Sequence, residues 1–402
     1  MSVPPQITVA PSDMREDRFS RLRLIPWWNE EKIRETRVLV VGAGALGNEV
    51  LKNLALLGFK QIVVVDLDRI EESNLSRAVL YRTEDVGQFK AEVAAEAVKA
   101  LSPEAMVQPL VANILYDCGL GLFHWSDLII AGLDNREARL WINRAAWKMK
   151  RPWVDGAIEG INGVARVFVP GSPPCYECTL GETDWALLER RMSCNLLARE
   201  EETAGKVPTT PTISSIIAAV QVQEAVKLIH GLPTLAGRGY IFEGLNHTSY
   251  VIEYTENPDC MSHDTFENIV RLPQRSAEMT LLQLLERARH DLGRDEVALE
   301  FSRDVVHRLS CPSCHQEQEL FAPVGSVRYE QGLCPRDGHM RVVTTMHNYG
   351  GEPELAQRKL NALGLPLFDA FIARAEDQEI AYLISGDEPD VFASTAAQRW
   401  KT

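Results

Sequence analysis

Three glycines spaced Gly42-x-Gly44-x-x-Gly47 follow the apolar run RVLVV and open a helical stretch. In that position they let backbone N–H groups at a helix N-terminus face a phosphate. Asp66 stands 19 residues beyond Gly47, at the end of the next apolar run, where a carboxylate accepts hydrogen bonds from ribose hydroxyls. These features predict a nucleotide without choosing between NAD and ATP. The choice comes from Asp66-Leu-Asp68-Arg-Ile-Glu-Glu-Ser-Asn74-Leu-Ser-Arg77, then Val86-Gly-Gln-Phe-Lys90, then Leu133-Asp134-Asn135. Arg77 and Lys90 are cations for a triphosphate, and Asn74 is an amide to hold it. Asp134, at a strand C-terminal end, is a carboxylate for Mg²⁺. A dehydrogenase, which the glycine motif alone allows, needs no such set. Asp68 is either a further nucleotide contact or loop surface. These groups suit attack on an α-phosphate.

The eight cysteines are too sparse in 402 residues for a disulfide scaffold, yet four form two C-x-x-C pairs. Cys175-x-x-Cys178 and Cys260-x-x-His263 offer three thiolates and an imidazole, a set that tetrahedral Zn²⁺ accepts. Cys311-x-x-Cys314 with Cys334 reads as a small zinc ribbon near 311–339. Its fourth ligand is His339, His315 or Asp337, with His339 favoured by the turn that its spacing from Cys334 allows. Cys194 has no metal-spaced partner and follows Arg190-Arg191, a setting that favours thiolate, so it is a candidate nucleophile. Cys118, amid apolar residues, reads as core.

From about residue 18 to 264 the chain resembles the adenylyltransferases that activate ubiquitin-like proteins and sulfur carriers, including those of molybdopterin and thiamine biosynthesis. The resemblance runs through RFSRLRLI, VVGAGALGNEV, VDLDRIEESNLSR, VGQFKA, GLDN, DGAIEGINGVARVFVPG, PCYEC, SCN and NPDC. It implies that Asp66 holds ribose, that Asn74, Arg77 and Lys90 hold phosphates, and that Asp134 binds Mg²⁺. Arg21 matches an arginine that reaches the γ-phosphate in a partner subunit's site, which implies a homodimer. Cys194 matches the cysteine that links to the carrier C-terminus as a thioester or persulfide. The family usually has four cysteines at the first zinc site, where this chain has His263, and a glutamine at Ala78.

The resemblance implies an activating enzyme that adenylates the C-terminal carboxylate of a ubiquitin-like protein, forms a thioester on Cys194 and passes it to a conjugating enzyme. It extends to bacterial members from operons with a ubiquitin-like protein, a conjugating enzyme and a deubiquitinase-like peptidase, linked to antiphage defence. A sulfur-carrier adenylyltransferase and a non-catalytic scaffold of the same fold are the alternatives.

The elements that must position these groups are short β-branched runs (RVLVV, QIVVVD, DLIIAGLD, PWVDGA, GVARVFV) alternating with helical stretches near 46–57, 88–101 and 135–149. This alternation predicts an α/β fold with a doubly wound, mainly parallel Rossmann-like sheet. A further helix is expected from Thr212 to His230, stopped by Gly231. The charged stretch Ala198 to Val207 predicts a mobile loop over one end of the sheet. Residues 1–17 read as an N-terminal arm, 18–264 as an ATP-binding adenylation domain, and 275–402 as a smaller α+β partner-binding region. That last region begins with a β-α-β-like piece (Thr280 to Phe301) and carries the zinc ribbon. No internal repeat is evident.

The length predicts two or three domains. With 42 Lys and Arg against 56 Asp and Glu the net charge is −14, which argues against a general nucleic-acid or anionic-membrane binder. No run approaches the roughly 18 consecutive apolar residues of a membrane span, and the chain start lacks a signal-peptide pattern, so a cytoplasmic location is expected.

Overall fold

The computed structural model describes residues 16–192, 208–376 and 378–393. Cys194, the stretch Ala198 to Val207 and nearly all of the N-terminal arm lie outside the described residues.

The larger sheet has eight strands: β1 (Arg37–Val41), β2 (Gln61–Val65), β3 (Met106–Leu110), β4 (Leu128–Ala131), β5 (Trp153–Glu159), β6 (Asn162–Phe168), β7 (Arg238–Glu243) and β8 (Thr248–Glu253). Their order is β3-β2-β1-β4-β5-β6-β7-β8. The first five in that order are parallel neighbours, as expected for a doubly wound sheet. The pairs from β5 to β8 are antiparallel. Only Gly160 and Ile161 separate β5 from β6, too few residues for the crossover that parallel pairing needs. Gly160 turns the chain at φ +60°.

Among the described residues seven helices accompany this sheet: α1 (Glu30–Glu35), α2 (Ala45–Leu57), α3 (Lys90–Leu101), α4 (Leu120–Trp125), α5 (Arg136–Lys148), α6 (Glu182–Met192) and α7 (Pro211–His230). Alternation along β1 and β2 sorts the two faces. Val38, Val40, Ile62 and Val64 pack with α2, α3 and α7, whereas Leu39, Val41, Val63 and Val65 pack with α4 and α5. By length and composition alone α7 is apolar enough to cross a membrane. Its Ile213, Ile217, Val222 and Ala225 are buried in the core instead, which accounts for its composition. Thr210 caps its start, Pro211 supplies a preset first turn, and Gly231 ends it at φ +68°.

The second sheet comprises β9 (Ile269–Leu272), β10 (Ala298–Ser310), β11 (Glu317–Pro323), β12 (Val342–Tyr349), β13 (Ala370–Ala375) and β14 (Gln378–Ile384), with helices α8 (Leu281–Leu292) and α9 (Glu388–Ala393). Its order is β11-β10-β13-β14-β9, and β12 also pairs with β10. The stretch Thr280 to Phe301, expected as β-α-β, holds α8 and the start of β10; the strand before the helix, β9, lies outside it, and β13 and β14 stand between β9 and β10 in the sheet. Leu281, Leu284 and Leu285 of α8 pack with Leu299, Phe371 and Tyr382.

The opposite face of this sheet packs on the first sheet. Phe368, Ala370, Ile372, Ala381 and Leu383 join the core made by Leu39, Val41, Val63, Val65 and Ile129 of the first sheet. The C-terminal region therefore shares a core with the N-terminal one. Polar contacts lock the joint: the Leu120 N–H donates to Asp369 Oδ1 at 2.8 Å and the Gly121 N–H to the Phe368 carbonyl at 2.8 Å. Arg303 donates to the carbonyls of Leu115 and Cys118 at 2.6 and 2.9 Å.

Candidate active site and metal centres

A cleft of about 1070 Å³ opens at the carboxyl ends of the parallel strands, where ligands bind in open α/β sheets. Gly42, Gly44, Asp66, Asp68, Asn74, Arg77, Lys90 and Asp134 all line it. The three glycines divide by role. Gly42 has φ +94°, and a Cβ there would meet the Gly132 carbonyl oxygen at 2.7 Å; a Cβ on Gly47 would meet the Gly42 carbonyl oxygen at 1.8 Å. Gly47 lies behind the loop and makes that close approach possible. Gly44 caps α2, and a Cβ there would meet nothing within 4 Å. Gly42 and Gly44 both line the cleft, and of the two only Gly44 has open space at its Cβ position.

The loop is braced from behind. Asn48 donates to the Ala43 carbonyl at 2.6 Å, as does the Tyr81 hydroxyl at 2.6 Å. Asp66 accepts from the Ala43 N–H at 2.7 Å through one oxygen and from the Asp68 N–H at 2.8 Å through the other. Burial pushes the Asp66 carboxyl up from its ordinary value, against the pull of Lys90. Lys90 starts α3 and pairs with Asp68 at 2.7 Å. Asn74 closes a short turn by accepting from the Glu71 N–H at 2.9 Å, and Arg77 donates to the Ser73 carbonyl at 2.6 Å. Asn135 caps α5 directly after Asp134 and accepts from the Glu137 and Ala138 N–H groups, fixing that strand end. Arg21 is exposed and does not line its own chain's cleft.

Sequence reasoning missed one part of the wall. Asp155 is fully buried on β5 between Arg139 of α5 and Arg166 of β6, at 2.9 and 2.5 Å. Burial alone would raise its pKa; the two guanidinium groups outweigh that and hold the carboxyl below its ordinary value. Both arginines line the cleft. Three residues on three elements carry no spacing signal, so only the fold reveals them. The segment DGAIEGINGVARVFVPG contains Asp155 and Arg166 but does not predict the pairing.

Cys175, Cys178, Cys260 and His263 bring their ligand atoms within 4.8 Å of one another. The Cys175 sulfur is 3.8 Å from that of Cys178 and 3.6 Å from that of Cys260, and Cys178 is 3.3 Å from His263 Nε2. Those edges suit a tetrahedral cation with Zn–S bonds of about 2.3 Å. His263 also stacks on Trp147 at 4.6 Å, which fixes the ring. In the C-terminal region Cys311, Cys314 and Cys334 also converge. The favoured His339 does not join their ligand atoms; Asp337 does, so that expectation is corrected. Cys118 is buried in the core as expected.

Fold and cleft define a nucleotide-binding type of α/β protein, with its polar groups gathered where the strands end. The chain belongs to the ThiF family, which residues 17–262 match. It is 43% identical over 157 residues to the NEDD8-activating enzyme E1 catalytic subunit of Arabidopsis thaliana, covering 36% of this chain and 34% of that one. It thus spans about a third of the length of that relative. It is 32% identical over 252 residues to the SAMP-activating enzyme E1 of Haloferax volcanii, covering 61% of this chain and 87% of the relative. To the sulfur carrier protein adenylyltransferase of Thermus thermophilus it is 30% identical over 259 residues, covering 61% and 89%. The solved structure of E. coli MccB with ATP shares the fold, with a TM-score of 0.53 at 22% identity over 63% of this chain and 75% of that one.

Proposed function

We propose that the chain uses ATP to adenylate the C-terminal carboxylate of a ubiquitin-like protein. The observation that carries this reading is the convergence of Asp66, Asn74, Arg77, Lys90 and Asp134 with the glycine loop in one cleft. The carrier carboxylate attacks the α-phosphorus; a carboxyl oxygen–phosphorus bond forms, the bond from that phosphorus to the bridging oxygen breaks, and pyrophosphate leaves with the electron pair. The nucleophile is already an anion, so no general base is needed. What remains is positioning and charge neutralisation, which Arg77 and Lys90 supply at the phosphates. Asp134 has no ion pair among the described residues and lines the cleft at a strand end, a fitting ligand for Mg²⁺, which would add charge neutralisation when bound.

Arg21, exposed and outside its own cleft, supports a homodimer in which each copy completes the other's site. Cys194 then displaces AMP to give a thioester, which passes to a conjugating enzyme. The first step is tested by ATP–pyrophosphate exchange with a panel of ubiquitin-fold proteins ending in glycine: Asp134→Ala should abolish exchange, and unchanged exchange refutes the assignment. Cys194→Ala should keep exchange and lose a thiol-cleavable carrier adduct.

The extent of the Thermus relative, matched over 89% of its length, favours a second reading in which the adenylate serves sulfur transfer. Mass measurement of the carrier separates the two, since replacement of a C-terminal oxygen by sulfur supports only the second.

A further inference from the structure

The turn joining β10 to β11 and the turn leading into β12 are built alike. The first reads Cys311-Pro312-Ser313-Cys314-His315 and the second Cys334-Pro335-Arg336-Asp337-Gly338. In the first, the His315 N–H donates to the Cys311 carbonyl at 3.0 Å and the Cys311 N–H to the Gln316 carbonyl at 2.9 Å. In the second, the Gly338 N–H donates to the Cys334 carbonyl at 2.9 Å and the Cys334 N–H to the His339 carbonyl at 2.8 Å. The residue after each second ligand position is left-handed, His315 at φ +57° and Gly338 at φ +70°. Position by position, Asp337 stands where the first turn has Cys314.

We propose that Cys311, Cys314, Cys334 and Asp337 form a second zinc site, outside the region that matches the ThiF family, in which an aspartate takes the place of the fourth cysteine. The distances agree. Zinc at about 2.3 Å from sulfur and 2.0 Å from oxygen gives tetrahedron edges of about 3.8 Å between sulfurs and 3.5 Å from sulfur to oxygen. The Cys314 and Cys334 sulfurs are 3.6 Å apart, and the Cys311 sulfur lies 3.5 Å from Asp337 Oδ2. His339 has a different task. Its backbone N–H donates to Asp337 Oδ1 at 3.1 Å, and its Nδ1 lies 3.3 Å from the same oxygen. It orients the carboxylate from outside the tetrahedron, as groups behind metal ligands do. His315, the other alternative, occupies the left-handed turn position and leaves the ligand place to Cys314.

One property follows from the aspartate. Three soft thiolates retain zinc, while the exposed carboxylate is the weakest and most exchangeable ligand. Zinc therefore leaves this site before it leaves the Cys175, Cys178, Cys260 and His263 site.

The test uses the full-length protein. Metal analysis should give two zinc ions per chain, and chelator challenge should release them in a fast and a slow phase. Asp337→Cys, which keeps a ligand in the turn, should slow the fast phase, and in the cobalt-loaded protein it should add thiolate-to-cobalt absorption. Asp337→Ala should weaken the fast site by more than the ~10- to 100-fold that loss of a supporting group costs, and His339→Ala by less than Asp337→Ala. One zinc per chain, unchanged release and cobalt spectra in both Asp337 variants, or a larger effect from His339→Ala would overturn the proposal.

Discussion

The Lys90 ammonium lies 2.7 Å from Asp68 Oδ2, with the lysine side chain 12% exposed and the aspartate 57% exposed. A pair with one partner so exposed is worth only about 0–1 kcal/mol, so a phosphate displaces the aspartate at little cost. Lys90→Ala should therefore lower ATP–pyrophosphate exchange by about 10²- to 10³-fold, the usual effect of losing a charge-stabilising donor. Asp68→Asn should change ATP affinity by less than about fivefold, the range that such an exposed pair permits. Titration calorimetry with ATP checks both variants. An equal loss in the two would make Asp68 a nucleotide contact and not a resting counter-ion.

The glycine loop separates folding from binding. A methyl at Gly47 would meet the Gly42 carbonyl oxygen at 1.8 Å, and neither backbone can yield without breaking the loop. Gly47→Ala should cost at least the ~1–3 kcal/mol typical of overpacking. At Gly44 the added methyl meets nothing, and losing a glycine cap for alanine costs less than about 1 kcal/mol. Gly44→Ala should thus unfold in urea much as the unsubstituted protein does and yet lose ATP affinity, because the methyl projects where a phosphate must approach the amides.

Asp155 should give the protein part of its acid sensitivity. Its two arginine partners keep its folded-state pKa below the ordinary 3.8, so below that pH the unfolded chain binds more protons and stability falls with pH. The contribution is complete above 3.8 and is lost as pH drops through the depressed folded value. Asp155→Asn should cost about 3–5 kcal/mol at pH 7, since it leaves two guanidinium groups uncompensated beside a buried site. Urea titrations of both proteins from pH 7 to pH 3 should show a gap that narrows only at the acid end.

How far the site could be read from sequence depended on range. Gly42, Gly44 and Asp66 lie in or directly after β1-α2-β2, Asn74, Arg77 and Lys90 in the connection from β2 into α3, and Asp134 just after β4, so local spacing and strand polarity placed them together in advance. The Asp155 pairs join residues 16 and 11 positions apart on separate elements, and each residue alone looks ordinary. Antiparallel β6 was hidden by its composition, although the two-residue connection at Gly160 carried the information. Asp337 stood among the alternatives for the fourth ligand, but its neighbour His339 was favoured. No internal repeat was expected, yet C-P-S-C-H and C-P-R-D-G repeat one turn with a single ligand changed, and it is this repeat, not the spacing from Cys334 that favours His339, that marks the ligand position.

The shared core also changes what a truncation should do. Reading residues 275–402 as an appended partner-binding region predicts that their deletion spares adenylation and impairs transfer. In the structure Phe368, Ile372 and Leu383 from that region are each no more than 2% exposed and pack against the core beneath β1 and β2. Each such side chain contributes about 1.5–3 kcal/mol by burial, so stripping three of them removes most of a typical domain's ~5–15 kcal/mol. Deletion from residue 275 should give aggregated protein with no exchange activity. Arg303→Ala, which removes the bonds to the Leu115 and Cys118 carbonyls together with the contacts to Ser302, Asp369 and the Trp141 ring, separates the loss of the joint from the loss of the whole region. It should lower the urea midpoint while ATP binding survives in the folded fraction. A soluble, active 1–274 fragment would show that the first sheet closes its own core.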